Sequence, residues 1–309
     1  MFSTTAERAA LKIALGHEVA ACFDAGPPVL AGEPVEDIFG DSQPAGQVDE
    51  FTLFASGEWL LGIASVAPRG DLAGVSRRLY GGILSASRGR HLVRIWNYVP
   101  AINQPAPSGL ENYREFCRGR SEAFEHWHGA NFRAALPAAS AVGTTAGELT
   151  VLFAANTLAP QHFENPLQVP AYEYPSDYGP RAPSFARASM VTEAGGARVV
   201  FVSGTAAIRG HRSVAPHCTQ EQVDCALENL KEISRAARLG SELSAGECLH
   251  RHFKVYLRHP AELSEVAGML ERRLFREGDR VTYLHAAICR AELNVEIEAT
   301  LWGAAVGSG

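Results

Sequence analysis

Arg94-Ile95-Trp96-Asn97-Tyr98-Val99-Pro100 and Lys254-Val255-Tyr256-Leu257-Arg258-His259-Pro260 decide the fold. Each reads as a strand that closes in a polar turn, with Pro at the same place. Proline has no N–H for a ladder and holds φ near −65°, so it marks the end of such a strand. An amphipathic helix follows in both cases. The pair predicts two copies of one α+β unit in a single chain.

Outward from the second segment, Val199-Val200-Phe201-Val202 is a short buried strand that runs into Ser203-Gly204-Thr205. Thr219 and Gln222 have the spacing of a capping box. Val223, Ala226, Leu227, Leu230, Ile233 and Ala237 then recur at helical spacing up to Gly240. Leu263, Val266, Leu270 and Leu274 share one face of a further helix, and strands are expected over 281–289 and 294–301. The first half repeats the order. Strands fall near 51–61, at 92–96, 138–143 and 149–154, with helices at 79–87 and 110–124. The expected division is an N-terminal domain (1–158), a loop (159–190) and a C-terminal domain (191–309). Residues 1–48 are either a strand-bearing extension or a loose arm.

The loop is unusual. Residues 159–189 hold Pro160, Pro166, Pro170, Pro175, Pro180 and Pro183 together with Tyr172, Tyr174 and Tyr178. No helix or central strand can run through so many prolines. Long irregular stretches in compact proteins are usually functional or disordered. This one lacks the Ser/Glu/Lys bias of disordered linkers, so it is expected to be ordered and turned toward a shared cleft.

Composition limits the function. The chain has 309 residues, 46% hydrophobic and 20% charged, close to the globular norm. Its 28 Lys and Arg against 34 Asp and Glu give a net charge of −6, which disfavours a nucleic-acid binder working by counterion release. A local arginine cluster around a small anion is still allowed. Cys22, Cys117, Cys218, Cys225, Cys248 and Cys289 form no CxxC pair and suit free thiols in a reducing compartment. The N-terminal apolar stretch is cut by Lys12, His17 and Glu18, unlike a secretory signal, and no apolar run approaches the roughly 20 residues of a membrane span. A cytoplasmic protein acting on a small molecule, with no nucleic-acid or membrane partner, is the expectation.

Three groups could carry chemistry. On the last strand Val295, Ile297, Ala299 and Leu301 alternate with Asn294, Glu296, Glu298 and Thr300. The second face is either solvated or the wall of a cleft, where a carboxyl with a raised pKa can act as general acid or base. Cys289, expected on the preceding strand, is either a small buried hydrophobe or a thiol against substrate. Arg120, Arg181 and Arg187 are each either a salt-bridging surface arginine or a contact for a carboxylate-bearing ligand, which arginine binds bidentately. The turns around Arg181 and Arg187 favour the second by holding the side chain in a fixed direction. His126/His128 and His250/His252 have i, i+2 spacing, but no third ligand of matching logic accompanies them, and metal binding is not expected. There is no nucleophile elbow, Walker A or dinucleotide fingerprint.

Phe201-Val202-Ser203-Gly204-Thr205, the helix from Thr219 through Leu227-Glu228-Asn229-Leu230-Lys231-Glu232-Ile233, and Val295-Glu296-Ile297-Glu298-Ala299 resemble the RidA/YjgF fold. More specific stretches resemble the chorismatases. These are residues 94–100 with Ile102-Asn103, Phe116-Cys117-Arg118-Gly119-Arg120, Glu164-Asn165-Pro166, Gln168-Val169, Tyr178-Gly179-Pro180-Arg181, and Pro183-Ser184-Phe185-Ala186-Arg187-Ala188. The resemblance covers about residues 50–302 and implies two RidA/YjgF-like α+β domains, mixed sheets with helices on one face, and an active site between them. It implies cleavage of chorismate to pyruvate and a ring acid without metal or organic cofactor. The ring product is 3-hydroxybenzoate in one subfamily and a dihydroxycyclohexadiene carboxylate in another.

By the same resemblance Glu296 matches the catalytic glutamate, and Cys289 a cysteine of the hydroxybenzoate-forming type. Arg120, Arg181 and Arg187 are candidates for the two substrate carboxylates, Tyr172 and Tyr178 for hydrogen bonds to substrate, and Ser203 and Thr205 for further binding contacts. Two positions depart from the family pattern: Leu167 stands where Arg follows Asn-Pro, and Glu173 where a basic residue separates two tyrosines. Either both face solvent, or the substrate differs from chorismate, for instance by an amine. The alternatives are a RidA-like imine hydrolase, disfavoured because Tyr283-Leu284-His285 lacks the arginine of that type, and a catalytically silent binder of small aromatic acids. Two units in one chain can share a cleft internally, which allows a monomer.

Overall fold

The two Pro-ended segments are corresponding strands of two sheets. The computed structural model describes residues 10–15, 22–33, 35–37, 39, 41–240, 243 and 250–303. The first half runs β5 (Phe51–Ser56), β6 (Trp59–Val66), α1 (Leu72–Ala86), β7 (His91–Pro100), α2 (Asn112–His128), β8 (Ala138–Thr144) and β9 (Leu149–Asn156). The second runs β11 (Ala188–Thr192), β12 (Arg198–Ala206), α3 (Thr219–Ala236), β15 (His250–Leu257), α4 (Leu263–Arg273), β16 (Arg280–His285) and β17 (Val295–Gly303). Their sheets have the same order, β5-β6-β9-β7-β8 and β11-β12-β17-β15-β16. In each, the pair at the end (β7 with β8, β15 with β16) is parallel and the rest antiparallel. This is the α+β class expected from the repeat.

The remaining strands extend the edges. β4 (Gln43–Val48) joins β5, and β10 (Gln161–Phe163) joins β11. The N-terminal strands β1 (Ala10–Ala14), β2 (Cys22–Ala31) and β3 (Val35–Asp37) belong to the second sheet, where β2 pairs with β16. A small ribbon, β13 (Ile208–Arg209) with β14 (Arg212–Ser213), stands apart.

The sheets face each other and the helices lie outside. In β17, Val295, Ile297, Ala299 and Leu301 pack with α3 and α4, so Glu296 and Glu298 point at the other sheet. Trp59, Ile63, Trp96 and Leu152 of the first sheet meet Phe201, Tyr256 and Leu284 of the second in one shared core. Both carboxylates are therefore interior, at 3% and 2% exposure, and the solvated-face alternative is overturned. Period-two alternation shows which side chains share a face but not what covers it.

Several local expectations are corrected. Helix α1 begins seven residues before the expected 79, because Asp71 caps it by accepting the Gly74 N–H at 2.8 Å. Thr219 and Gln222 do not form a capping box. Thr219 Oγ1 donates to Glu262, while Gln222 Nε2 donates to the Glu292 carbonyl (2.8 Å) and its Oε1 accepts the Asn294 N–H (2.7 Å). β16 stops at His285 rather than reaching Cys289, because its partner β15 ends at Leu257 and offers no further ladder. His126 and His128 lie on α2, where i, i+2 side chains do not share a face.

Candidate active site

At one end of the seam between the sheets lies a cavity of about 210 Å³. Its wall is assembled from both halves: Ser140 from β8, Arg120 from α2, Gly204 from β12, and Glu296 from β17. Tyr174, Tyr178, Phe185 and Arg187 enter from the Pro-rich loop, and Cys289 and Arg290 from the segment between β16 and β17. Among the residues expected to bind or react, Glu296, Cys289, Arg120, Arg187 and Tyr178 thus come together.

Glu296 owes its place to a glycine. A Cβ on Gly204 would stand 1.9 Å from Glu296 Oε1, so no other residue fits beside that carboxyl unless it moves. The ladder between β12 and β17 slips between Val202 and Thr205, which puts this glycine at a bulge. The Thr205 hydroxyl donates to the Ser203 carbonyl (2.9 Å), spanning Gly204. Ser203 Oγ donates to the Ala186 carbonyl (2.6 Å) and accepts the Ala139 N–H (2.9 Å). Ser203 and Thr205 are therefore not among the cavity's lining residues. The Ser203 hydroxyl fastens the bulge to the loop and to β8, the Thr205 hydroxyl closes the bulge on itself, and sequence reading missed Gly204 between them.

Two carboxyls on one strand face have opposite characters. Burial pushes Glu296 up to about 8; the Glu298 charge adds to this, while Arg94 and Arg187 oppose it. Burial also disfavours the charge of Glu298, but Lys254 and Arg94 outweigh it and hold that carboxyl down at about 2. Glu298 accepts from Arg94 Nη2 (2.7 Å), Lys254 Nζ (2.7 Å) and Trp96 Nε1 (3.1 Å). Near neutral pH, then, burial favours the protonated form of Glu296 at the cavity wall, while Lys254 and Arg94 favour the ionised form of Glu298. Carboxyl pairs split in this way mark acid and base assignments in active sites.

The cavity arginines are differently placed. Arg120 is buried, lies over the Phe116 ring at 5.0 Å and reaches Cys117 Sγ at 3.8 Å. Arg187 is buried over Phe185 at 5.0 Å and donates to the Tyr174 hydroxyl at 2.9 Å. Neither forms an ion pair with a carboxylate among the described residues, and the Nε of each is buried without a hydrogen-bond partner. Buried charges normally have counter-charges. Two buried guanidiniums without a carboxylate at ion-pair distance, beside the buried Glu296 carboxyl, make a site for an anionic ligand. Helix α2 comes close enough to deliver Arg120 because a Cβ on Gly119 would be 2.0 Å from the Ala73 carbonyl oxygen of α1.

Cys289 sits on a loop, not a strand. Arg258 pins that loop through the carbonyls of Leu293 (2.8 Å) and Arg290 (2.9 Å). Asn103 of the first half reaches the Ile288 carbonyl at 3.1 Å. Burial, with the Glu296 charge next, pushes the Cys289 thiol up to about 12, so it faces the cavity as a thiol. Arg290, not singled out in the sequence, lies 4.1 Å over the Tyr178 ring.

Other expected residues lie elsewhere. Arg181 pairs with Glu125 at 2.8 Å, both about two-fifths exposed, in a separate depression that Tyr172 also lines. The Pro180 turn aims Arg181 outward, and Tyr174 takes the cavity position expected of Tyr172. Leu167 and Glu173 are exposed and line neither wall, which selects the solvent-facing alternative for both departures. Among the described residues no group of three or more His, Cys, Asp or Glu is placed to hold a metal. Cys117, Cys218, Cys225 and Cys289 are free thiols; Cys248 and the Cys22 side chain lie outside the described residues.

Residues 39–155 match the family described as chorismatase FkbO/Hyg5-like, N-terminal. A 3-hydroxybenzoate synthase of Streptomyces hygroscopicus is 36% identical over 263 residues, which cover 82% of this chain and 76% of that protein. The chain belongs to the chorismatase family. A chorismatase of Streptomyces rapamycinicus (strain ATCC 29253 / DSM 41530 / NRRL 5491 / AYB-994) is 39% identical over 249 residues, 78% of this chain and 74% of its own. A chorismatase crystal structure superposes with a TM-score of 0.78 at 29% identity, covering 96% of this chain and 94% of that one. The chorismatase likeness thus extends over nearly the whole chain and includes both walls of the cavity.

Proposed function

We propose that the protein cleaves the enolpyruvyl ether of chorismate to pyruvate and a ring acid, with Glu296 as general acid. The observation that carries this reading is the buried Glu296 carboxyl, whose proton affinity burial raises, in one cavity with two buried arginines that form no ion pair among the described residues. Chorismate has two carboxylates and one acid-sensitive enol ether, which matches that inventory. Arg120 and Arg187 would receive the carboxylates, and Tyr178 with Tyr174 would close the aromatic side of the cavity.

In the proposed reaction the Glu296 proton passes to the methylene carbon. The alkene electron pair forms the new C–H bond and leaves an oxocarbenium ion. Water, or the hydroxyl of the ring, adds to the cationic carbon. With water the hemiketal collapses by cleaving the ether C–O bond, which releases pyruvate. With the ring hydroxyl the cyclic ketal breaks that bond and then the ring C–O bond of the former hydroxyl, whose oxygen leaves as the ketone oxygen of pyruvate while the adjacent ring C–H gives up its proton. In both cases a proton returns to Glu296. Capture by water consumes one water and yields a dihydroxycyclohexadiene carboxylate. Capture by the ring hydroxyl, followed by aromatisation, yields 3-hydroxybenzoate with no net water. Cys289, as a thiol, would favour the second outcome by shape and hydrogen bonding.

We further propose a metal-free reaction, a cytoplasmic location, and residues 159–190 as the link between domains 1–158 and 191–309. The test is incubation of purified protein with chorismate and no added metal or cofactor, with pyruvate detection and chromatography of the ring product. Pyruvate release is expected. A folded protein that leaves chorismate untouched overturns the reading. Replacing Cys289 by Ala is expected to change the ratio of ring products, and an unchanged ratio removes it from the mechanism.

A further inference from the structure

We propose that Glu298 is a positioning residue that keeps Glu296 in its proton-donating form, by neutralising two cations buried at the seam beneath it. The inference rests on Glu296 being the proton donor proposed above.

Glu298 lies two residues from Glu296 on the same face of β17, so their Cα atoms are about 7 Å apart along the strand. Its cations come from equivalent positions of the repeat, Arg94 of β7 and Lys254 of β15, and both lie against the Trp96 ring at 4.9 and 5.5 Å. All three charged groups are at most 3% exposed, where water screens little. Arg94 Nη2 also donates to Ser140 Oγ at 2.8 Å, and Ser140 is part of the cavity wall. The network therefore begins at the cavity and ends on Glu298. Removing the Glu298 charge makes the surroundings of Glu296 more positive and favours its ionised form, which has no proton to give.

The other groups around Glu296 come from each packed element. Tyr256 stands opposite it on β15. Arg120 approaches from α2, Arg187 and Tyr174 from the Pro-rich loop, and Cys289, Arg290 and Glu292 from the segment before β17. Glu292 is the carboxylate among these and lies on the segment before the strand, whereas Glu298 shares the strand face of Glu296 and is held by its own cations.

The two sides of the network give opposite predictions. Glu298→Gln removes the negative charge and should lower the proton affinity of Glu296 at least tenfold, about one pH unit. Arg94→Met removes one of the cations and should raise it. The readout is the infrared band of the protonated Glu296 carboxyl, assigned by its loss in Glu296→Gln and followed against pH. The alkaline limb of kcat should move the same way, falling at lower pH in Glu298→Gln and at higher pH in Arg94→Met.

A merely structural role for the network would reduce rates evenly across pH and leave the midpoint in place. An unmoved midpoint in the folded variants, or movement of both in one direction, overturns the proposal. Glu298→Gln removes the carboxylate shared by two buried cations and can prevent folding. In that case the upward shift in Arg94→Met decides, and its absence overturns the proposal. If the wild-type protein releases no pyruvate, the functional reading fails, while the infrared titration still tests the coupling of Glu298 to Glu296.

Discussion

Strands β9 and β17 occupy the same place in the two sheets, yet only β17 carries buried carboxyls. On β7, Trp96 and Arg94 stand opposite Leu152 and Ala154 of β9. On β15, their counterparts Tyr256 and Lys254 stand opposite Glu296 and Glu298 of β17. Ser140, opposite Trp96 on β8, corresponds in the same way to Leu284, opposite Tyr256 on β16. The carboxyls of one half are thus aliphatic side chains in the other. Leu152, Ala154 and Leu284 pack in one apolar cluster with Leu11, Ile13 and Ala25 of the N-terminal strands, and β2 pairs with β16 through Val29 and Leu284. The backbone is repeated and the site is not. A buried carboxyl needs either a counter-charge or a proton, so only one side of the seam was equipped for them.

The sharpest way to break this comparison is to make β17 resemble β9. Glu296→Gln removes the acidic proton while keeping the shape, and pyruvate release is expected to fall by about 10²–10⁴-fold with folding intact. A variant that keeps most of its rate removes Glu296 from the role. Next come the cations that β7 and β15 do not supply. Arg187→Ala or Arg120→Ala should each weaken kcat/KM for chorismate by about 2–5 kcal/mol, the range for losing one side of a buried charge pair. A steady-state comparison with wild type checks this.

Gly204→Ala sharpens the role of the bulge. The new methyl meets Glu296 Oε1, so a loss of about 1–3 kcal/mol in stability is expected, with a larger fall in kcat than any change in KM. Thermal denaturation and steady-state kinetics separate the two effects. The smallest change is expected from Arg181→Ala. Its pairing with Glu125 is exposed and worth under about 1 kcal/mol, so kcat/KM should stay near wild type. A large loss there would return Arg181 to the binding set.

Much of the fold was legible because it depends on patterns that act locally. Helical spacing at Val223, Leu230 and Ile233, alternation along 294–301, and the two Pro-ended segments each state a period and a stop. The failures lie where a partner far along the chain decides. Thr219 and Gln222 found Glu262 and the 286–294 loop instead of each other. The strand expected over 281–289 lost its ladder where β15 ended. Tyr172 and Tyr174 are equivalent as residue types, and only the short turns on either side of Tyr174 sent one to the cavity and the other to the depression beside Arg181.

The sequence by itself determined that two α+β units follow one another, that a Pro- and Tyr-rich loop lies between them, and that Glu296 and Glu298 share a face. These follow from dihedral limits and side-chain periodicity, which neighbouring residues impose. Only the tertiary structure decided that this face is buried against a second sheet. It also decided that Glu298 is the one matched with Arg94 and Lys254, and that Arg120 and Arg187 lack carboxylate partners. Charge state in an interior depends on what is packed within a few ångströms, and residues 94, 120, 187, 254 and 296 become neighbours only when the two halves close on each other.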